Sequence, residues 1–383
     1  MSTGPAVART GPEGPAGPGA TGLPAPADRD AGADARLLAR AAGVIGPAPD
    51  LVLALSRHGR RTLHVTGTAP PPVDRPRDRL RYELGSASKT FTGLLLARLV
   101  AAGRLSYDAP AAELLAPGHP VHPSVRAITL RHLVTHTSGL PGLPADFYPQ
   151  AVPRWTTTPY AGYPTDRVVR AFLRARPRHA PGTRWHYSNF AVSVLAHTLA
   201  AATRTPWDVL VHREVLAPLH LDATSLAPGV PGADAVGHRR GGGPTPVLGI
   251  GGFAGAGAVR STPHDLLTFL EAHLAASGAY AGTGAAGVTP FVPPPDASLA
   301  TALAGMRHPV LRRGPRHAHT HTLTWFQHAT PHGPVNFHAG ATPGQQAFLG
   351  YCPDTGTALA AVCTRRVSFR DPFVATVHGL LTE

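Results

Sequence analysis

Strand-forming segments occupy the two ends of this chain, and helix-forming segments occupy its middle. LVLALS (51–56) and TLHVTG (62–67) alternate with period two around the turn RHGR. THTLTWFQHA (320–329), GPVNFHAGA (333–341), QQAFLGY (345–351) and TALAAVCT (357–364) are strand-like again. Between them, residues 128–144 start a short helix that enters a Gly/Pro loop, and 166–176, 189–203, 206–219 and 263–277 carry helical spacing, whereas 279–300 is irregular. A short amphipathic helix over 35–44 and a last helix over 372–382 complete the pattern. Two ends that both supply strands point to one sheet closed from both, with a helical region inserted between them.

One helix is predicted to be central. SKTFTGLLLARLVAAG runs from Ser88 to Ala102, is apolar nearly all round and is stopped by Gly103. At its start stands Lys89, the single lysine in a chain whose lysines and arginines total 35. A bias toward Ala, Gly, Pro and Arg explains arginine at the surface, where only charge is needed. It does not explain a retained amine, because guanidinium keeps its proton at any working pH and a buried ammonium does not. Ser86, three residues earlier, shares a face with Lys89. A helix start favours a developing negative charge on Ser86, and burial lowers the pKa of Lys89. A neutral amine there can take the proton of a serine hydroxyl.

Composition excludes other classes. The formal charge is +13, with arginines clustered at RPRDRLR (75–81), RARPR (174–178), HRR (238–240) and RRGPR (312–316). These clusters are scattered through Pro/Gly-rich loops and accompany no nucleic-acid motif, so a solvated surface is the expectation and nucleic acid is not an expected partner. No run approaches the roughly 20 apolar residues that span a bilayer. Residues 1–34 read as a disordered Gly/Pro/Ala-rich tail without the apolar stretch of a secretion signal. Cys352 and Cys363 flank the hairpin turn PDTG at different heights along the sheet, too far apart for a disulfide. Free thiols and the missing signal favour the cytoplasm.

Two further stretches give Ser86 and Lys89 a context. RWHYSNF (184–190) contains Tyr187-Ser188-Asn189, and NFHAGATPG (336–344) contains His338-Ala339-Gly340. The order S-x-x-K, Y-x-N, H-x-G resembles the serine β-lactamase and penicillin-binding-protein superfamily, most closely its class C β-lactamase, DD-peptidase and family VIII esterase branch. The framing phrases GSASKTFTG, ITLRHLVTHTSGLP and PGTRWHYSNF agree, and the resemblance covers residues 36–383. It implies an α/β (α+β) fold of the β-lactamase/transpeptidase type, with an antiparallel sheet of about five strands flanked by helices. Residues 35–383 would form one domain, with its α/β part from 35–115 and 250–383 and its helical part from 116–249. Ser86 would be the acylated nucleophile. Lys89 and Tyr187 would share general-base work, and Tyr187 would return a proton to the leaving group. Asn189 would bond the substrate amide or Lys89. Backbone N–H groups of Ser86 and Ala341 would form the oxyanion hole, and Gly340 would let substrate approach the strand. No metal or organic cofactor is implied.

The departures bear on substrate. Many relatives carry lysine at the position of His338 and a hydroxyl residue at that of Ala339, a pair that grips a carboxylate. His338 is mostly neutral near pH 7. The expectation is therefore an esterase or amidase/peptidase acting on a small-molecule or peptide acyl substrate. The alternatives are an acyltransferase, a peptide-releasing or cyclising thioesterase, a β-lactamase or DD-carboxypeptidase, and, from another class, a non-catalytic anion-binding protein. Long loops 144–164 and 225–258 should shape specificity. His317, His319 and His321 alternate along one strand face, but no acidic or cysteine ligand neighbours them, so a solvated edge is expected. His136 in LVTHTSG reads as a structural hydrogen-bonder. The Gly-rich run 241–257 lacks the Gly-Lys-Ser/Thr of a phosphate loop.

Overall fold

The N-terminal hairpin closes through the tightest kind of turn. Strands β1 (Leu51–Arg57) and β2 (Arg60–Thr66) pair from Leu51↔Thr66 to Arg57↔Arg60, which leaves only His58 and Gly59 in the loop. Both have positive φ, 52° and 83°, the turn whose twist matches the strands it joins. The structure, a computed structural model, describes residues 26–70, 75–229, 231–279, 296–314 and 319–382.

The hairpin docks on the far end of the chain. β1 pairs antiparallel with β10 (Thr357–Cys363), from Leu51↔Cys363 to Arg57↔Thr357. β10 follows β9 (Gln346–Cys352), which lies beside β8 (Gly333–Ala341) and then β7 (Phe326–Thr330). The main sheet has eight strands rather than about five, in the order β2-β1-β10-β9-β8-β7-β6-β5. The additions come from β5 (Leu311–Arg313) and from division of the expected strand 320–329. That segment turns at Thr322–Trp325, where Thr322 N–H donates to Trp325 O at 3.0 Å, and so yields β6 (His319–His321) and β7. Strands of three residues are too short to show an alternation. A separate two-residue pair joins β3 (Tyr82–Glu83) to β4 (Arg260–Ser261).

Alternate residues of each strand feed opposite faces of the sheet. On β10, Ala358, Ala360 and Val362 join the large core, and Leu359, Ala361 and Cys363 join a smaller one. The smaller core is covered by α1 (Pro26–Ile45) and by the C-terminal helix Phe373–Gly379. α1 begins at Pro26, so the expected tail over 1–34 is corrected for its last nine residues, and residues 1–25 lie outside the described ones. The physical reason is Asp34: its buried carboxylate binds Arg60 at 2.9 Å and Arg57 at 3.2 Å, both on the β1–β2 hairpin. Cys352 pairs with Thr357 and Cys363 with Gln346, so the two thiols stand at opposite ends of the β9–β10 ladder, buried and free.

The larger core surrounds α2 (Lys89–Ala101), which the structure starts one residue later than expected, after a 3₁₀ turn over Gly85–Ser88. α2 is buried on every side from Lys89 to Ala97. It packs on the helices Asn189–Thr203, Pro263–Ala276 and Ala297–Gly305, with Phe91 and Phe269 rings stacked at 4.2 Å. No helix among the described residues is long and apolar enough to cross a membrane.

Candidate active site

The site is built where β8 crosses the turn that enters α2. Gly85 has φ +49°, and a Cβ there would meet the Ala341 carbonyl oxygen at 2.5 Å. Reciprocally, a Cβ on Gly340 would collide with Leu84 O and reach Ala87 N at 2.8 Å and Ser86 N at 3.0 Å. The two glycines therefore let the backbones of 85–87 and 340–341 lie side by side. Close packing against the turn over Gly85–Ser88 thus by itself demands a glycine at 340. β8 pairs with β7 only as far as Phe337, so no named strand pairs His338–Ala341 on that side among the described residues.

Lys89 sits beneath Ser86 and has no exposed surface. Its Nζ donates to Ala256 O at 3.0 Å and lies 4.9 Å from the centre of the Tyr187 ring. Burial alone lowers its pKa from 10.5 to about 7; no carboxylate opposes the shift. Ala256 ends the glycine-rich stretch, whose Gly255 O also accepts from Thr92 Oγ1 at 2.7 Å. A Cβ on Gly255 would strike Ala196, so the glycine brings this loop against the helix Asn189–Thr203. The role of 251–257 is thus to supply carbonyls to α2.

The Ser86 side chain lies close enough to the Tyr187 phenol to act on its titration. Burial raises the pKa of Tyr187 well above the usual phenol range, and the neighbouring Ser86 hydroxyl acts the other way. Its segment is held by His136, a residue with φ +59°. His136 Nδ1 accepts from Ser188 N–H at 3.2 Å, its carbonyl accepts from His186 N–H at 2.8 Å, and its ring lies 4.6 Å from that of Tyr187. Because Nδ1 accepts, the ring proton is on Nε2; burial and Lys89 hold its pKa well below the ordinary value. Ser188 caps the next helix, with Oγ accepting from Ala191 N–H at 2.9 Å and donating to Pro141 O at 2.6 Å.

A cleft of about 210 Å³ opens over Ser86. Ser86, Asn189 and Ala341 line it; Lys89, Tyr187, His338 and Gly340 do not. Its walls come from both long loops, with Trp155, Pro159 and Tyr160 from one and Leu248 from the other, continued by Ile250 and Phe253. Arg366 is the one charged side chain of the lining. Asn189 Nδ2 donates to the Tyr160 hydroxyl at 3.1 Å, while its Oδ1 is buried without a partner. His338 faces inward: Nδ1 donates to Ala339 O at 2.7 Å, and burial, with Lys89 nearby, lowers its pKa to about 3. It is therefore a neutral ring at any working pH.

The support on the other flank carries no sequence signal. His321 is buried rather than at a solvated edge, stacked 4.9 Å from Trp185. Arg313 lies 3.9 Å over Trp185 and donates from Nε to His321 Nε2 at 2.8 Å. This Arg–Trp–His stack braces the Tyr187 segment from β5 and β6. Residue 317 lies outside the described residues. Among the described residues no group of His, Cys, Asp and Glu is arranged to hold a metal ion.

Comparison with known proteins bears on the family and the fold. The family model described as Beta-lactamase matches residues 45–382. A Beta-lactamase of Pseudomonas fluorescens is 27% identical over 234 residues, 58% of this chain and 59% of that protein. Esterase EstB of Burkholderia gladioli is 31% identical over 175 residues, 44% of each chain. The chain thus spans about half the length of these curated relatives. Among solved structures, Beta-Lactamase/D-Alanine Carboxypeptidase from Pseudomonas syringae superposes with a TM-score of 0.71 at 21% identity, covering 93% of this chain and 99% of that one. With a family match running from α1 to the C-terminal helix over this sheet and turn, the chain belongs to the beta-lactamase family.

Proposed function

We propose that this protein is a serine hydrolase that forms an acyl-enzyme on Ser86 and passes the acyl group to water, acting as an esterase or amidase. The observation that carries the reading is Lys89: a fully buried amine, one turn from Ser86, whose pKa burial brings to about 7. An amine so shifted has a neutral population near pH 7 that is able to accept a proton. Tyr187, with its raised pKa, keeps its own proton and serves as donor.

In this mechanism Ser86 Oγ attacks the carbonyl carbon while its proton passes to Lys89 Nζ. The carbonyl π pair moves to oxygen, and the backbone N–H groups of Ser86 and Ala341 stabilise the resulting oxyanion. Collapse breaks the bond to the leaving group, which takes a proton from Tyr187; Lys89 then restores the phenol. Water attacks the Ser86 ester by the same route, releasing the acid. Asn189 lines the cleft, and a turn of its amide would bring the now buried and unpartnered Oδ1 to accept an N–H of the acyl portion. The neutral, inward His338 and the methyl of Ala339 supply no cation for a carboxylate, which supports uncharged esters as first substrates. Transfer to an amine or alcohol in place of water uses the same steps.

One observation favours a second reading. Arg366 places a guanidinium in the cleft lining, which suits a substrate that carries a carboxylate, as a β-lactam or a terminal D-alanine does. Arg366→Ala separates the two. It should raise KM for carboxylate-bearing substrates by about tenfold or more if they are the preferred class, and leave p-nitrophenyl butyrate unaffected. For the main reading, wild type should turn over p-nitrophenyl butyrate and Ser86→Ala should be silent. Equal rates would remove Ser86 as nucleophile.

A further inference from the structure

A second cavity, of about 560 Å³, lies on the other side of the Tyr187–Asn189 segment and shares no lining residue with the catalytic cleft. Five arginines line it: Arg167, Arg170, Arg174, Arg176 and Arg178. Asp146 is the single acidic residue of the lining, so the formal charge there is 5 − 1 = +4. Asp146 pairs with Arg167 at 3.0 Å, and Asp166, outside the lining, pairs with Arg170 at 2.6 Å. Arg174, Arg176 and Arg178 have no carboxylate partner among the described residues.

Arg167 is half-buried and Arg170, Arg174, Arg176 and Arg178 are exposed, so the guanidiniums ring the cavity from its solvent side. Deeper in the protein Arg98 is matched to Glu214 and Asp296, Arg260 to Glu83 and Arg365 to Asp371, leaving those charges neutralised where these three are not. Three unmatched guanidiniums at i, i+2 and i+4 of RARPR reach one cavity because Ala175 and Pro177 separate them along an irregular segment after the helix Thr165–Leu173. That segment is tied down at its end, where Arg178 N–H donates to Gly139 O at 2.9 Å.

We propose that this cavity is a binding site for a small polyphosphate-bearing ligand of nucleotide size. Several like charges held together need a multiply charged anion, and the planar fork of arginine matches phosphate oxygens two at a time. The volume falls in the range of small-molecule sites. The floor includes Phe190, adjacent to Asn189, and Pro141, whose carbonyl holds the Ser188 hydroxyl. The site therefore backs onto the catalytic tyrosine segment without opening into the cleft. It does not depend on the acyl-enzyme reading.

The test is calorimetric titration with sodium tripolyphosphate, at salt concentrations between about 50 and 200 mM. Wild type should bind, more weakly as salt rises. The triple variant Arg174→Ser/Arg176→Ser/Arg178→Ser should bind at least about tenfold more weakly, and Arg176→Ser alone should fall between. Arg366→Ala, which alters the other cavity, should bind as wild type does. An unchanged circular-dichroism spectrum and urea midpoint in the triple variant would verify its fold. Undiminished binding by the triple variant, or loss on Arg366→Ala, would overturn the proposal. So would a failure of wild type to bind tripolyphosphate, or tighter binding of a ten-residue thymidine oligonucleotide or of poly-glutamate at equal salt, since those would assign the arginines to a macromolecular partner.

Discussion

Replacing Lys89 by methionine should inactivate the protein and stabilise it, and the size of the gain should depend on pH. Methionine matches the length of the buried stem and carries no proton. A tenfold loss of proton affinity corresponds to 1.36 kcal/mol, so lowering the Lys89 pKa from 10.5 to about 7 amounts to about 5 kcal/mol of cost for burying the amine. Against this, methionine leaves Ala256 O without its donor, at about 1–3 kcal/mol. The net gain at neutral pH is about 2–4 kcal/mol. The sign follows from linkage: the folded pKa lies below the unfolded one, so between about pH 7 and 10.5 the unfolded chain binds more protons and wild-type stability rises with pH. The cost is complete below about pH 7 and fades by about 1.4 kcal/mol for each pH unit above it. Urea denaturation of both proteins near pH 6.5, 8 and 9.5 should show the advantage of Lys89→Met shrinking across the series. A gap of constant size, or a variant less stable than wild type at pH 6.5, would refute the view that Lys89 is a desolvated amine without a counter-charge.

Two other outcomes follow from the same geometry. The kcat/KM for p-nitrophenyl butyrate should fall about tenfold for each pH unit below about 7 as Lys89 gains its proton, and a plateau reaching pH 5 would exclude the neutral amine as base. Gly340→Ala should destabilise by about 1–3 kcal/mol and depress turnover, since its methyl meets Leu84 O and the Ser86 turn; wild-type urea midpoint and activity would contradict that packing.

Local chemistry carried much of this in the sequence. The His58-Gly59 hairpin, the α2 helix and the separated cysteines depend on neighbours a few residues away, and period-two and apolar patterns report such neighbours directly. The contribution of distant residues was not legible. Lys89 finds its acceptor at Ala256, 167 residues later. Asp34 extends α1 only because the hairpin brings Arg57 and Arg60 to it. His321 is buried because Trp185 and Arg313 meet it from other elements. β5 and β6 are three residues each and rich in Arg and His, so they carry no apolar alternation to betray them. For Gly340 the sequence shows that a glycine is present, but only the fold shows which backbone it must clear.

The most direct test of the account is intact-mass spectrometry within the first turnovers of p-nitrophenyl butyrate, followed by peptide mapping. A transient adduct with the mass of a butyryl group should form on Ser86 and be absent from Ser86→Ala. Turnover without any adduct, or an adduct on another residue, would contradict it.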